Sequence, residues 1–127
     1  MLEKKIRGGS LIARALKDKG IEHVFTLSGG FCNPALEGFM ECQMEVINCP
    51  HEQIAGHIAD GHTRITRKPA VCLVGPEGFA NAVPSMMEAW GERSTVIFIT
   101  GSSSLKRQES GGFKEIDDVA ITDPRTK

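Results

Sequence analysis

MEVINCPHEQIAGHIADGHTRITRKPAVCLVG, residues 44–75, contains three segments with different periodicities. MEVINC (44–49) has the length and β-branched content of a strand. Pro50 leads out of it into a helical pattern in which Ile54, Ile58 and Ile65 fall on one side. Pro69 closes that helix, and AVCLVG (70–75) is a continuous apolar run too short for a helix of its own. A strand, a helix and a second, wholly apolar strand in this order form a crossover unit. Its strands run parallel, and the sheet is covered on both faces.

The same alternation extends in both directions. Upstream, Ser10 is placed to cap a helix through LIARALKDK (11–19), with Gly20 as its stop. HVFTL (23–27) is a buried strand, Ser28-Gly29-Gly30 a loop, and Pro34 the first-turn residue of a helix running to about Cys42. Downstream, GPEG (75–78) reads as a loop. FANAVPSMMEAWG (79–91) reads as a helix, with Pro84 in its first turns or kinking it. TVIFITG (95–101) is the most strongly β-forming segment, SSSLKRQESGG (102–112) a polar loop, and EIDDVAIT (115–122) a short helix. The expected fold is one α/β domain over residues 1–127, an open doubly wound parallel sheet with helices on both faces. Ligands of such sheets sit at the carboxyl ends of the strands, where the loops at 28–30, 49–52, 75–78 and 101–112 gather.

Composition narrows the function. Fifteen basic against sixteen acidic residues give a net charge of −1, and no stretch of sequence concentrates Lys and Arg. Neither nucleic acid nor an anionic membrane surface is an expected partner. No apolar run reaches bilayer length, and the N-terminus MLEKKIRGGS has no apolar stretch behind its charges. Cys32, Cys42, Cys49 and Cys72 form no Cys-x-x-Cys pair, so reduced cysteines and a cytoplasmic location are expected.

The helix at 52–66 sorts into three faces. Ile54, Ile58 and Ile65 are assigned to the sheet, and His57, Asp60 and Arg64 to solvent. Glu52 shares its side with Ala55, Gly56, Ala59 and Thr63, small residues that let a backbone or a flat ligand approach. Mid-helix Gly56 costs about 1 kcal/mol against alanine unless that space is used. A carboxylate in a first turn also complements the helix dipole for about 0.3–1 kcal/mol, so position leaves two readings of Glu52 open. His51, His57 and His62 lack metal-ligand spacing and read as surface or packing histidines, and no metal site is expected.

GGSLIARALKDKGIEHVFTLSGG, PHEQIAGHIADGHTRITRKPAVCLV, GPEGFAN, VIFITGSSS and GGFKEIDDVAIT, in that order from about Gly8 to Lys127, resemble the pyrimidine-binding (PYR) domain of thiamine-diphosphate enzymes. The likeness is strongest to the acetolactate synthase-like group, which includes oxalyl-CoA decarboxylases, 2-hydroxyacyl-CoA lyases and benzaldehyde lyases. The resemblance implies that Glu52 hydrogen-bonds the ring nitrogen of the cofactor's aminopyrimidine. The pyrimidine can then take the proton from the thiazolium C2 carbon. It implies that Gly29 and Gly30 line the substrate side, Gly29 next to the cofactor, and that Gly78 and Asn81 adjoin the pyrimidine. Phe113 and Lys114 fall where acetolactate synthases have Phe-Gln near the active site.

Departures from the pattern concern the substrate. Ser28 stands where many relatives have proline, Lys114 replaces glutamine, and GPEGFAN and GSSS lean toward the acyl-CoA branch. The expected substrates are 2-oxoacids or 2-hydroxyacyl- or oxalyl-CoA-type compounds. There is no Gly-Asp-Gly here, so the family's Mg²⁺ and diphosphate fall to a separate diphosphate-binding (PP) domain. That domain lies in a longer parent chain, the expected case, or in another subunit, and a homo-oligomer of at least two copies is implied. The competing expectation is a non-catalytic α/β module that dimerises or regulates through the small face of residues 52–63. A nucleotide binder at Ser28–Gly30 lacks both a Gly-x-Gly-x-x-Gly and a P-loop lysine.

Overall fold

The computed structural model describes residues 5–126. Four parallel strands, β1 (His23–Thr26), β2 (Glu45–Asn48), β3 (Ala70–Val74) and β4 (Val96–Thr100), form one sheet in the order β2-β1-β3-β4. Helices α1 (Gly8–Asp18), α2 (Asn33–Glu41), α3 (Glu52–Thr66), α4 (Pro76–Gly91) and α5 (Asp118–Thr122) intervene. The expected doubly wound α/β architecture is the one observed. Central β3 is buried at all five positions, as its unbroken apolar run requires, while edge strand β2 is partly exposed. The chain steps from β1 outward to β2, then back past β1 to β3 and on to β4, so its direction reverses between β1 and β3. That reversal opens the crevice in which such sheets bind ligands.

Two cores flank the sheet. On one side Ala13, Val24, Phe39, Val71 and Leu73 pack under α1 and α2. These helices cross in close contact: a Cβ on Gly9 would lie 1.7 Å from the Pro34 carbonyl oxygen. On the other side Phe25, Ala55, Ala59, Cys72, Val74, Ala82 and Met86 pack under α3 and α4.

Several local expectations are corrected. Ser10 does not cap α1, which starts at Gly8 with Arg7 at the cap position; Ser10 is buried and donates to Glu41 at 2.7 Å. α2, by contrast, runs Asn33–Glu41 with Pro34 in its first turn as expected, behind a short 3₁₀ turn (Gly30–Cys32). The segment at 75–78 is not a loop: α4 starts at Pro76, the favoured first position, and Pro84 lies within it.

The largest correction concerns α3. Ile54 and Ile58 are each 42% exposed and Ile65 is 85% exposed, while Ala55, Gly56, Ala59 and Thr63 are buried. α3 lies wedged between the sheet and α4, too near both to accommodate side chains as large as isoleucine. Close packing therefore placed the small face inward, against the order of hydrophobicity. Asp60, assigned to solvent, is 3% exposed and accepts from Arg64 at 2.5 Å. The four cysteines are free, with Cys32, Cys49 and Cys72 buried. Among the described residues no helix is long and apolar enough to cross a membrane, and no group of His, Cys, Asp or Glu could hold a metal ion.

Candidate functional site

The site is built where α3 and α4 both begin, at the carboxyl ends of β2 and β3. β2 ends at Asn48, and His51 then takes extended backbone and caps α3, its Nδ1 accepting the Gln53 N–H at 3.2 Å. Histidine is not a favoured cap residue, so sequence preference gave no signal for this contact. Glu52 follows as the first residue of α3, and its side chain is only 14% exposed.

Glu52 is held from α4. A Cβ on Gly78 would stand 2.5 Å from Glu52 Oε1 and 2.7 Å from its Cγ, so any larger residue at 78 would displace the carboxyl. One turn on, Asn81 Nδ2 donates to Glu52 Oε2 at 3.1 Å. The carboxyl thus lies between two helix N-termini, whose unpaired N–H groups favour negative charge.

Two further contact levels fix the helix pair. In the middle, a Cβ on Gly56 would meet Ser85 Oγ at 1.9 Å and Ser85 Cβ at 2.6 Å. The space that a mid-helix glycine leaves free is used by α4 of the same chain. At the far end Arg64 bridges Asp60 of α3 to Glu88 of α4 (3.0 Å) and to Glu92 at its C-terminal cap (3.7 Å). Burial opposes ionisation of Asp60, but the hydrogen bond and charge of Arg64 more than offset it and hold its carboxyl below the ordinary range. Asp60, Glu88 and Glu92 in turn strengthen the protonated form of Arg64.

Of the residues singled out from sequence, Glu52, Gly78 and Asn81 converge, although Gly78 and Asn81 do so from within a helix rather than a loop. Gly29 and Gly30 belong to the segment after β1, at the same end of the sheet, where a Cβ on either would meet nothing within 4 Å. That segment is pinned at Phe31, whose carbonyl oxygen would lie 2.6 Å from a Cβ on Gly101. Phe113 is 78% exposed, and Lys114 Nζ lies 5.3 Å from its ring centroid. Lys114 also pairs with Glu77 in the first turn of α4, which ties the 113–114 segment to the start of that helix. Nothing in the sequence pointed to Glu77 or Ser85, and His51 read only as a surface or packing histidine. Below the site, Cys72 is pushed up to about 12, first by burial and then by Cys49, Cys32 and Glu52.

A parallel α/β sheet that ends, beside its switch point, in a sheltered carboxyl defines a ligand-binding domain of the doubly wound class. The chain belongs to the thiamine pyrophosphate enzymes: the model of their N-terminal TPP binding domain matches residues 6–121. It is 36% identical over 120 residues to the acetolactate synthase large subunit IlvG of Mycobacterium tuberculosis, covering 94% of this chain and 22% of that protein. It is 33% identical over 122 residues to 2-hydroxyacyl-CoA lyase 2 of Bos taurus, covering 94% and 19%. Among solved structures, one from Mycobacterium smegmatis, provisionally assigned as a thiamin diphosphate-dependent enzyme, superposes with a TM-score of 0.81. That match has 23% identity and covers 94% of this chain and 23% of that one. The chain spans about a fifth of the length of these curated relatives.

Proposed function

We propose that this chain is the pyrimidine-binding part of a thiamine-diphosphate-dependent enzyme that cleaves or forms a carbon–carbon bond next to a carbonyl. In this reading Glu52 activates the cofactor. The observation that carries it is the sheltered Glu52 carboxyl over Gly78, at the strand ends. The residues fit a flat heterocycle: no side chain at 78 obstructs Oε1, which receives no hydrogen bond among the described residues and is free to share a proton with a ring nitrogen. Gly78 and Asn81 would border the ring, and Gly29 and Gly30 would line the space across the strand ends.

When bound, the cofactor supplies a carbon nucleophile for attack on the substrate carbonyl. Glu52 contributes a proton held at one defined atom, and Asn81 holds its other oxygen in place. Substrates of the 2-oxoacid or 2-hydroxyacyl- or oxalyl-CoA type suit the kinds of protein this chain resembles. Lys114 and Phe113, tied to α4 through Glu77, are the residues on which that choice is expected to turn.

Mg²⁺ and the diphosphate would be held by a PP domain of a longer parent chain or of another subunit; the relatives, about five times as long, favour the longer chain. The exposed stripe of Ile54, Ile58 and Ile65 along the outer face of α3 supports association with such a domain or with a second copy. The small face of residues 52–63 cannot serve as that interface, because α4 and the sheet already bury it. A non-catalytic module would therefore have to associate through the isoleucines.

The test is Glu52→Gln in the full-length or reconstituted enzyme. Loss of turnover by roughly 100-fold or more, with slowed proton exchange at the thiazolium C2, is expected for a lost proton-transfer group. Near-normal values of both would refute the reading.

A further inference from the structure

The two oxygens of the Glu52 carboxyl are not equivalent, and the residue that completes the difference is His51. The Gln53 backbone N–H donates to His51 Nδ1 at 3.2 Å, so that nitrogen must carry the lone pair. In the neutral ring the proton is then on Nε2. Nε2 faces Glu52 Oε2 at 4.0 Å, the same oxygen that accepts from Asn81 at 3.1 Å. Asn81, in the second turn of α4, thus donates to Oε2, and the His51 ring at the α3 cap faces the same oxygen just beyond hydrogen-bond distance. Oε1, over Gly78, is left with no donor among the described residues. An oxygen that accepts one N–H and faces a second is a poorer place for a proton than one with no donor, which is free to bear it.

We propose that His51 is a positioning residue for Glu52. Its Nε2–H, with Asn81, holds Oε2 as the acceptor oxygen and makes Oε1 the oxygen that carries the exchangeable proton. The 4.0 Å gap closes by a small ring rotation or through one water, and the half-exposed ring lies between the sheltered carboxyl and solvent. Besides Glu52, no acidic or basic side chain forms an ion pair with His51 among the described residues. The imidazole and the carboxyl therefore face each other with no competing ion pair at the imidazole. The inference rests on the reading of Glu52 as cofactor activator only for its catalytic consequence; the coupling itself is a property of this chain.

His51→Asn separates this role from plain capping, because asparagine is among the best cap residues but carries no titratable nitrogen. In the chain itself, ¹⁵N NMR is expected to find His51 protonated at Nε2 and bare at Nδ1. The Glu52 carboxyl ¹³C shift is expected to follow the His51 titration, and that inflection is expected to vanish in H51N while the melting temperature stays within about 2 °C of wild type. In the full-length enzyme H51N is expected to lower kcat about tenfold with little change in KM. That is below the roughly 100-fold of a direct general acid or base, because the imidazole acts across a gap. The limb of the pH profile that belongs to the histidine is expected to disappear. A proton on Nδ1, a Glu52 signal indifferent to the His51 titration, or an H51N enzyme with an unchanged pH profile would overturn the proposal. If the NMR coupling is present but E52Q is fully active, the activator reading fails and the inference about His51 survives.

Discussion

Gly56→Ala tests the packing that fixes Glu52. In an isolated helix the substitution would stabilise by about 1 kcal/mol. Here the new methyl would lie 1.9 Å from Ser85 Oγ, 2.6 Å from Ser85 Cβ and 3.2 Å from Phe98 Cε1. Turning the hydroxyl aside would not suffice: Ser85 is fully buried, its Oγ donates to the Ala82 carbonyl at 2.6 Å, and its Cβ is itself too near. α3 and α4 must separate by on the order of 1 Å, at the upper end of the 1–3 kcal/mol typical of overpacking. After the gain in helix propensity, a net loss of about 1–2 kcal/mol remains, or a fall in melting temperature of roughly 4–10 °C for a chain of this size. Thermal and urea unfolding followed by circular dichroism measure it. Adding Ser85→Gly removes the obstructing Cβ and should restore most of the loss. A G56A chain as stable as wild type would mean that the helices are not in contact at this level, and the argument from it to the placement of Glu52 would fail.

The remaining predictions concern the charged and thiol groups below the site. Asp60→Asn should destabilise the chain by about 1–3 kcal/mol. This is less than the 3–5 kcal/mol of a fully buried broken pair, because Arg64 is 38% exposed and keeps Glu88 and Glu92. The folded-state pKa of Asp60 is lowered, so its contribution is present above the unfolded value near 4 and is lost as pH falls below it. Urea midpoints of wild type and D60N should therefore differ at pH 7 and approach each other below about pH 3; a constant difference would contradict the assignment. A thiol reagent at pH 8 should label Cys42 first and leave Cys72 unmodified until the chain unfolds, since Cys72 is buried and its thiol is pushed up to about 12. Mass spectrometry of partially labelled protein shows the order, and early labelling of Cys72 would refute it.

Much of this molecule was decided by local pattern. The unbroken apolar runs at 70–75 and 95–101, separated by helical segments, admit few arrangements other than a parallel sheet covered on both faces, and that sheet is present. Pro50, Pro69 and Gly20 marked element ends within a few residues, because their backbone limits act without reference to the rest of the chain. Glu52 was legible as the first residue of a helix at the ligand end of the sheet for the same reason.

What local pattern did not decide was the direction each helix face points. Counting apolar residues put Ile54, Ile58 and Ile65 on the sheet, yet the distance left between the sheet and α4 admits the smaller Ala55, Gly56, Ala59 and Thr63 instead. The same crowding buried Asp60 with Arg64 and laid Glu52 against Gly78 and Asn81, residues 26 and 29 positions further along the chain. Hydrophobicity is a property of one residue and can be read from the sequence. Available space is a property of three packed layers and exists only once they have come together.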